Sequence, residues 1–211
     1  MGYYPVFLDL TDRPCGVIGG GAVAERKVEA LLAAGARVTV VSPALTPPLQ
    51  ALAHAGRVRH VGRDYRAGDL AGQQLAFVAT DDGAVNGAVA ADARALGIWL
   101  NAADDPQHCS FILPSVLRRG PLQVAVATGG ASPALSRAIR EELEGYFTEE
   151  YGGLAELAAE VRRELAGSPS RPSAVAWGRA LAPDLRRLLA DGQRDEAKAR
   201  LRARLGVTAW Q

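Results

Sequence analysis

The sequence predicts an α/β protein, with a parallel sheet and crossover helices in its first half and a hairpin followed by helices in its second. Three observations carry this. Over residues 1 to 105, short apolar runs alternate with longer segments of helical period, the pattern of strand–helix–strand units. One of those runs ends in Gly19-Gly20-Gly21 and passes directly into helix formers. After Pro106 the alternation stops, and two apolar segments flank turn residues ahead of a long Ala-, Leu-, Arg- and Glu-rich stretch.

Each element has its own justification. Cys15 to Ile18 reads as the first strand, and Ala22 to Ala34 as a helix that stops at Gly35. The β-branched run Arg37 to Ser42, then Val58 to Val61 and Leu75 to Ala79, supply further strands. Thr80-Asp81-Asp82 precedes a helix from about Ala84 to Leu96, Gly97 ends it, and Ile98 to Asn101 resumes as a strand. Four or five strands with such crossovers make a Rossmann-type sheet. Phe111 to Leu117 and Leu122 to Ala127, separated by Arg118-Arg119-Gly120-Pro121, predict an antiparallel hairpin. Ser132 is a candidate N-cap with Pro133 at the first helical position of a helix reaching Gly145. Residues 151 to 205 read as a small helical domain, broken by a loop at Gly167 to Pro172.

Composition excludes several classes. A chain of 211 residues with 48% hydrophobic and 22% charged residues is that of a folded globular protein that needs no staple. Its net charge of +1 argues against a surface built as a whole to grip nucleic acid or anionic lipid. Two cysteines, Cys15 and Cys109, cannot build a disulfide framework, and neither stands at zinc-ligand spacing, which favours a reducing compartment. The N-terminus lacks a basic region followed by an apolar run, and no run of 18 apolar residues occurs, so a cytoplasmic location without a membrane span is expected.

The sharpest motif is Gly19-Gly20-Gly21-Ala22-Val23-Ala24, a G-x-G-x-x-A turn between strand and helix. Gly19 permits the tight turn, Gly21 lets a diphosphate approach the backbone, and Ala24 allows the helix to pack closely on the sheet. The helix N-terminus favours the anion. Dinucleotide binding is the reading this context supports, against a purely structural turn. The second strand of such a unit ordinarily ends in an acidic residue that bonds the ribose, yet here it ends at Ser42-Pro43-Ala44. No nearby arginine claims a 2′-phosphate either, so these residues leave NAD and NADP undivided.

Asp104 follows the last strand of the first half, where open α/β sheets place ligands. It is a candidate general base, with Asp104-Asp105-Pro106 as simple turn chemistry the competing reading. Thr80 and Asp81 are ambiguous in the same way, as cofactor neighbours or as part of a helix cap. Thr128-Gly129-Gly130-Ala131-Ser132-Pro133 either cradles an anion or merely caps a helix. His108 and Cys109 lie near Asp104, but His54 and His60 stand on another segment, so no metal site is expected.

Taken in order, these segments resemble one family. Tyr4-Pro5-Val6-Phe7-Leu8-Asp9-Leu10, Val17 to Lys27 with its glycine turn, Ala79-Thr80-Asp81-Asp82 with Asn86, Asn101-Ala102-Ala103-Asp104-Asp105-Pro106, Phe111-Ile112-Leu113-Pro114-Ser115 and Thr128 to Leu135 are similar to precorrin-2 dehydrogenase, the N-terminal module of siroheme synthase, in its free-standing form. The resemblance implies NAD-dependent oxidation of precorrin-2 to sirohydrochlorin on the way to siroheme, with cobalamin as a second destination. Some members also insert ferrous iron, as a substrate, into the product. It places the essential aspartate at Asp104, and cofactor contacts at Gly19, Gly20, Gly21, Ala22, Val23, Ser42, Pro43, Ala44, Thr80 and Asp81. It further implies a homodimer joined through the middle segment. The expected division is 1–110 for cofactor binding, 111–148 for dimerisation and 149–211 for the helical domain.

Charge is unevenly distributed along the chain. Residues 106 to 140 contain Arg118, Arg119, Arg137 and Arg140 and no acid, whereas residues 141 to 160 contain seven acids and no base. Given the implied polycarboxylate substrate, Ser132, Arg137 and Arg140 are its candidate contacts. The opposing functional hypothesis is a non-catalytic dinucleotide sensor, which needs no base at the sheet edge.

Overall fold

A computed structural model describes residues 2–103, 105–167 and 171–206. The chain divides into two compact units, Met1–Ile112 and Leu113–Gln211.

The first unit is a five-stranded parallel sheet. In chain order it comprises β1 (Pro14–Ile18), α1 (Ala22–Ala33), β2 (Arg37–Val41), α2 (Pro47–His54), β3 (Val58–Val61), β4 (Leu75–Val78), α3 (Gly83–Leu96) and β5 (Trp99–Ala102). The strand order β3-β2-β1-β4-β5 means that the chain works outward on one side of β1, then crosses to the other side. That reversal between β1 and β4 is the switch point at which open sheets of this kind place ligands, outside the carboxyl ends of the strands.

Strand periodicity explains the two cores. Cys15, Val17, Val38, Val40, Leu75 and Phe77 pack with α1 and α2 residues in one buried cluster. Their alternates Ile18, Val41, Ala76, Val78, Leu100 and Ala102 pack with Val89, Ala90 and Ala93 of α3 in the other. Gly97, in the left-handed region at φ +67°, ends α3 as its sequence position suggests. Helix α2 adds to the elements expected from sequence, and Thr46-Pro47 starts it as an N-cap followed by proline at the first helical position.

The second unit opens with a hairpin, β6 (Ser115–Arg119) and β7 (Leu122–Val126), followed by α4 (Pro133–Tyr146), α5 (Glu149–Glu164), α6 (Ala174–Ala180), α7 (Asp184–Ala190) and α8 (Arg194–Arg204). The hairpin is shorter and later than the apolar run suggested. Phe111 is not in the strand but packs edge-to-face on Phe77 of β4, 5.7 Å between ring centres, and so belongs to the first unit. Arg118 and Arg119, read as turn residues, are paired in the strand, leaving Gly120-Pro121 as the turn. Helix α4 runs one residue past Gly145. Of the loop expected at Gly167 to Pro172, residues 168–170 lie outside the described residues, and Leu165–Gly167 forms a 3-10 turn. Leu157, Val161, Leu185, Ala197 and Leu201 are fully buried together at the centre of the helical layer.

Candidate cofactor and active site

The glycine turn between β1 and α1 is shaped by two close approaches. Gly19 adopts φ +116°, and a Cβ there would stand 2.3 Å from the Ala79 carbonyl oxygen. At Gly20 a Cβ would meet the Ala44 carbonyl oxygen at 2.0 Å. No side chain fits at either position. The spacer position of the motif is therefore as restricted as its first glycine, a constraint that the motif alone did not reveal. Gly21 is different: nothing lies within 4 Å of an added Cβ, so its space opens to solvent. It is also the N-cap of α1 and supplies no side-chain hydrogen bond. The first-turn amides, including those of Ala22 and Val23, thus remain available to an anion beside an open glycine. Ala24 is fully buried against the sheet, as its place in the motif requires.

The loop after β2 is tied down on this turn. The Gly19 amide donates to the Val41 carbonyl at 2.9 Å and the Thr46 amide to the Gly20 carbonyl at 2.9 Å. The Thr46 hydroxyl donates to Glu25 Oε2 at 2.7 Å, so this N-cap residue of α2 serves α1 instead of its own helix. Ser42 is buried and its hydroxyl donates to the Ala44 carbonyl at 2.7 Å. Pro43 and Ala44 line an open hollow of about 510 Å³ with Gln50, His54 and His60. His60 Nε2 lies 2.9 Å from the Ser42 carbonyl oxygen. The two histidines thus share one hollow, but among the described residues no group of three metal-ligating side chains assembles.

Thr80 and Asp81 stand beyond β4. Thr80 Oγ1 donates to Asn86 Oδ1 at 3.0 Å, and Asn86 Nδ2 donates to the Thr80 carbonyl at 3.2 Å. Asp82, rather than Asp81, caps α3, accepting from the Ala84 and Val85 amides. Asp81 remains exposed at the turn.

Asp104, the candidate base, lies outside the described residues. The described residues on either side of it in the sequence are held by a local network. The Ala103 amide donates to the Val78 carbonyl at 2.9 Å, Asn101 Nδ2 donates to the Phe111 carbonyl at 3.1 Å, and Cys109 Sγ accepts from the Ala102 amide at 3.2 Å. Partial burial pushes the Cys109 thiol above its ordinary range. Asp105 Oδ2 pairs with His108 Nδ1 at 2.5 Å, and that hydrogen bond holds the Asp105 carboxyl below the ordinary range. The side chain of Lys27 sits over the Phe77 ring, 5.4 Å from its centre.

In the second unit the Thr128–Pro133 segment closes on itself. Ser132 Oγ accepts from the Leu135 amide at 3.1 Å, and the Ser132 amide donates to Thr128 Oγ1 at 3.0 Å. Thr128 Oγ1 in turn donates to the Ser132 carbonyl at 3.0 Å. Arg140 pairs with Glu141 at 2.9 Å and with Glu144 one turn on, while Arg119 reaches Glu149 at 3.1 Å. The acid-free window in sequence is therefore not acid-free in space. Arg137 has no ion pair among the described residues and lines a shallow hollow of about 360 Å³ with Pro133, Ala134 and Glu141.

Residues 6–115 match the family model described as "Putative NAD(P)-binding", and residues 119–146 match the one described as "Sirohaem biosynthesis protein central". A siroheme synthase of Methylococcus capsulatus is 42% identical over 200 residues, which cover 94% of this chain and 42% of that protein. One from Methylobacillus flagellatus is 48% identical over 158 residues, 75% of this chain and 34% of that protein. The chain thus spans well under half the length of these relatives. Among solved structures, SirC, a precorrin-2 dehydrogenase, superposes with a TM-score of 0.76 at 27% identity, covering 95% of this chain and all of that one.

Proposed function

The chain belongs to the NAD(P)-binding precorrin-2 dehydrogenase family of siroheme biosynthesis, and from that premise we propose that it oxidises precorrin-2 to sirohydrochlorin with NAD as acceptor. The observation that carries the cofactor half of this reading is the open space at Gly21 in front of an uncapped helix, just after two glycines whose side-chain positions are filled by carbonyls. A diphosphate fits such a place because backbone amides and the helix dipole both favour negative charge there. Ala22 and Val23 lie in that first turn, Ser42, Pro43 and Ala44 follow β2, and Thr80 and Asp81 follow β4 on the other side of β1; in this reading they are the remaining cofactor neighbours.

NAD supplies the acceptor for the hydride that leaves the macrocycle. The remaining proton needs a base, and Asp104, two positions after the end of β5 in the sequence, is the residue assigned to it. The substrate's carboxylates call for cations. Of Ser132, Arg137 and Arg140, Arg137 is the first choice, because Arg140 is already paired along its helix and the Ser132 hydroxyl caps α4. The segment 111–148 joins two copies into a homodimer in this reading, with 1–110 as the cofactor domain and 149–211 as the helical domain.

Asp104→Asn tests the catalytic assignment: turnover of precorrin-2 should drop by about a hundredfold or more while NAD binding is retained. Full activity in that variant would remove Asp104 from its role. Incubating preformed sirohydrochlorin with ferrous iron, without NAD, separates a dehydrogenase from one that also inserts iron. NAD-dependent binding of a partner by a protein inert toward precorrin-2 would instead favour the sensor.

A further inference from the structure

We infer that Glu25 discriminates between the two dinucleotides, excluding NADP by placing a carboxylate against the position of its 2′-phosphate. The inference rests on the dinucleotide reading above and deepens it. Strand β2 lacks the usual terminal acid, so the ordinary device for choosing NAD is missing from Ser42, Pro43 and Ala44. Ser42 offers no substitute donor, since it is buried and its hydroxyl is held by the Ala44 carbonyl at 2.7 Å.

A carboxylate nevertheless reaches this corner from the other direction. Glu25 stands in the first turn of α1, one residue beyond the glycine motif, and its Oε2 accepts from the Thr46 hydroxyl at 2.7 Å. Thr46 follows β2 by five residues, and its amide is bonded to the Gly20 carbonyl at 2.9 Å. Since a Cβ on Gly20 would also touch the Ala44 carbonyl and Ser42 Oγ, at 2.0 and 2.8 Å, the loop after β2 lies directly over the glycine turn. The bond to Thr46 thus holds the charge of Glu25 between that turn and the loop, on the side where the adenosine ribose lies.

No residue from Ser42 to Thr46 is a cation that could offset it. Arg63, farther along, is spent on Asp69 through two contacts of 2.7 Å. His60 faces Ser42 from β3, its Nε2 2.9 Å from the Ser42 carbonyl oxygen. Two negative groups several ångströms apart at the protein surface repel enough to lower affinity by roughly tenfold. A ribose hydroxyl carries no such penalty.

The test is calorimetric binding of NAD and NADP to the full chain at pH 8, with Glu25→Gln and Thr46→Val as variants. Wild type should bind NAD and bind NADP at least tenfold more weakly. Glu25→Gln, which keeps an acceptor for Thr46, should recover about tenfold in NADP affinity and change NAD affinity by less than about twofold. Thr46→Val removes the hydrogen bond but keeps the charge, so it should still disfavour NADP more than Glu25→Gln does. An unchanged NADP-to-NAD ratio in Glu25→Gln overturns the inference while leaving NAD binding intact. Failure of the folded wild type to bind either dinucleotide overturns both the inference and the reading on which it rests.

Discussion

Two glycine turns, Gly19–Gly21 in the first unit and Gly129–Gly130 in the second, have similar sequence chemistry and contrasting surroundings. Each leads into a helix. At the first, the N-cap is a glycine with no side chain to give, and two of its three glycines are fixed by carbonyl oxygens within 2.3 Å of where a Cβ would stand. At the second, Gly129 and Gly130 have φ of +64° and +85° but nothing near them, and Ser132 already caps the helix. A helix start that already has a side-chain cap leaves fewer amides for a ligand. One that leaves first-turn amides uncapped beside open space needs water or an anion.

Alanine substitutions turn this contrast into measurements. Gly20→Ala should be the most damaging, because backbone must move to admit the methyl group, and a loss of about 2–4 kcal/mol in unfolding free energy is expected. Gly21→Ala should leave the thermal midpoint nearly unchanged and weaken NAD binding by tenfold or more. Equal effects of the two on stability would erase the distinction between a structural and a ligand-facing glycine. At the second turn, Ser132→Ala should cost about 1 kcal/mol of stability through the lost cap. If it instead altered only substrate affinity, that turn would be the anion site it resembles in sequence.

The arginines offer a finer comparison. Arg137→Ala should raise KM for precorrin-2 several-fold, and Arg140→Ala should raise it less, because Arg140 is engaged by Glu141 and Glu144. The reverse order would show that the intrahelical pairs open on binding. The smallest effect concerns acid. Asp184 is held down to about 2, first by its hydrogen bond from Arg204 and further by Arg200. A carboxyl depressed on folding stabilises the native state above its unfolded pKa near 4, and that contribution fades as pH falls toward 2. Acid titration followed by circular dichroism should therefore show Asp184→Asn unfolding with a slightly flatter pH dependence than wild type, and high salt should reduce the difference.

Legibility from sequence followed the range of the interactions involved. The central strands β1 and β4 announced themselves because both faces are buried and read as apolar runs, as in Leu75–Val78. The glycine motif, the Asp82–Gly83 helix start and the Ser132 cap are local chemistry and were readable to within a residue or two. The Glu25–Thr46 bond was not, because its partners are 21 positions apart and meet only when β2 lies beside β1. The same holds for Arg119 and Phe147, linked at 2.9 Å across 28 positions, and for Phe111, which an apolar stretch suggested as strand but which β4 claims as a packing partner. A window of like charges says which residues are cations, and helical periodicity decides which acids come back to neutralise them.

We propose that this sheet edge oxidises a tetrapyrrole with NAD. The most direct test is to supply precorrin-2 and NAD to the purified protein and follow NADH and sirohydrochlorin absorbance together, beside Asp104→Asn. Both products should appear in equal amounts with wild type, and both should nearly vanish with the variant, which still binds NAD. Wild-type protein that binds NAD but forms neither product would contradict this proposal.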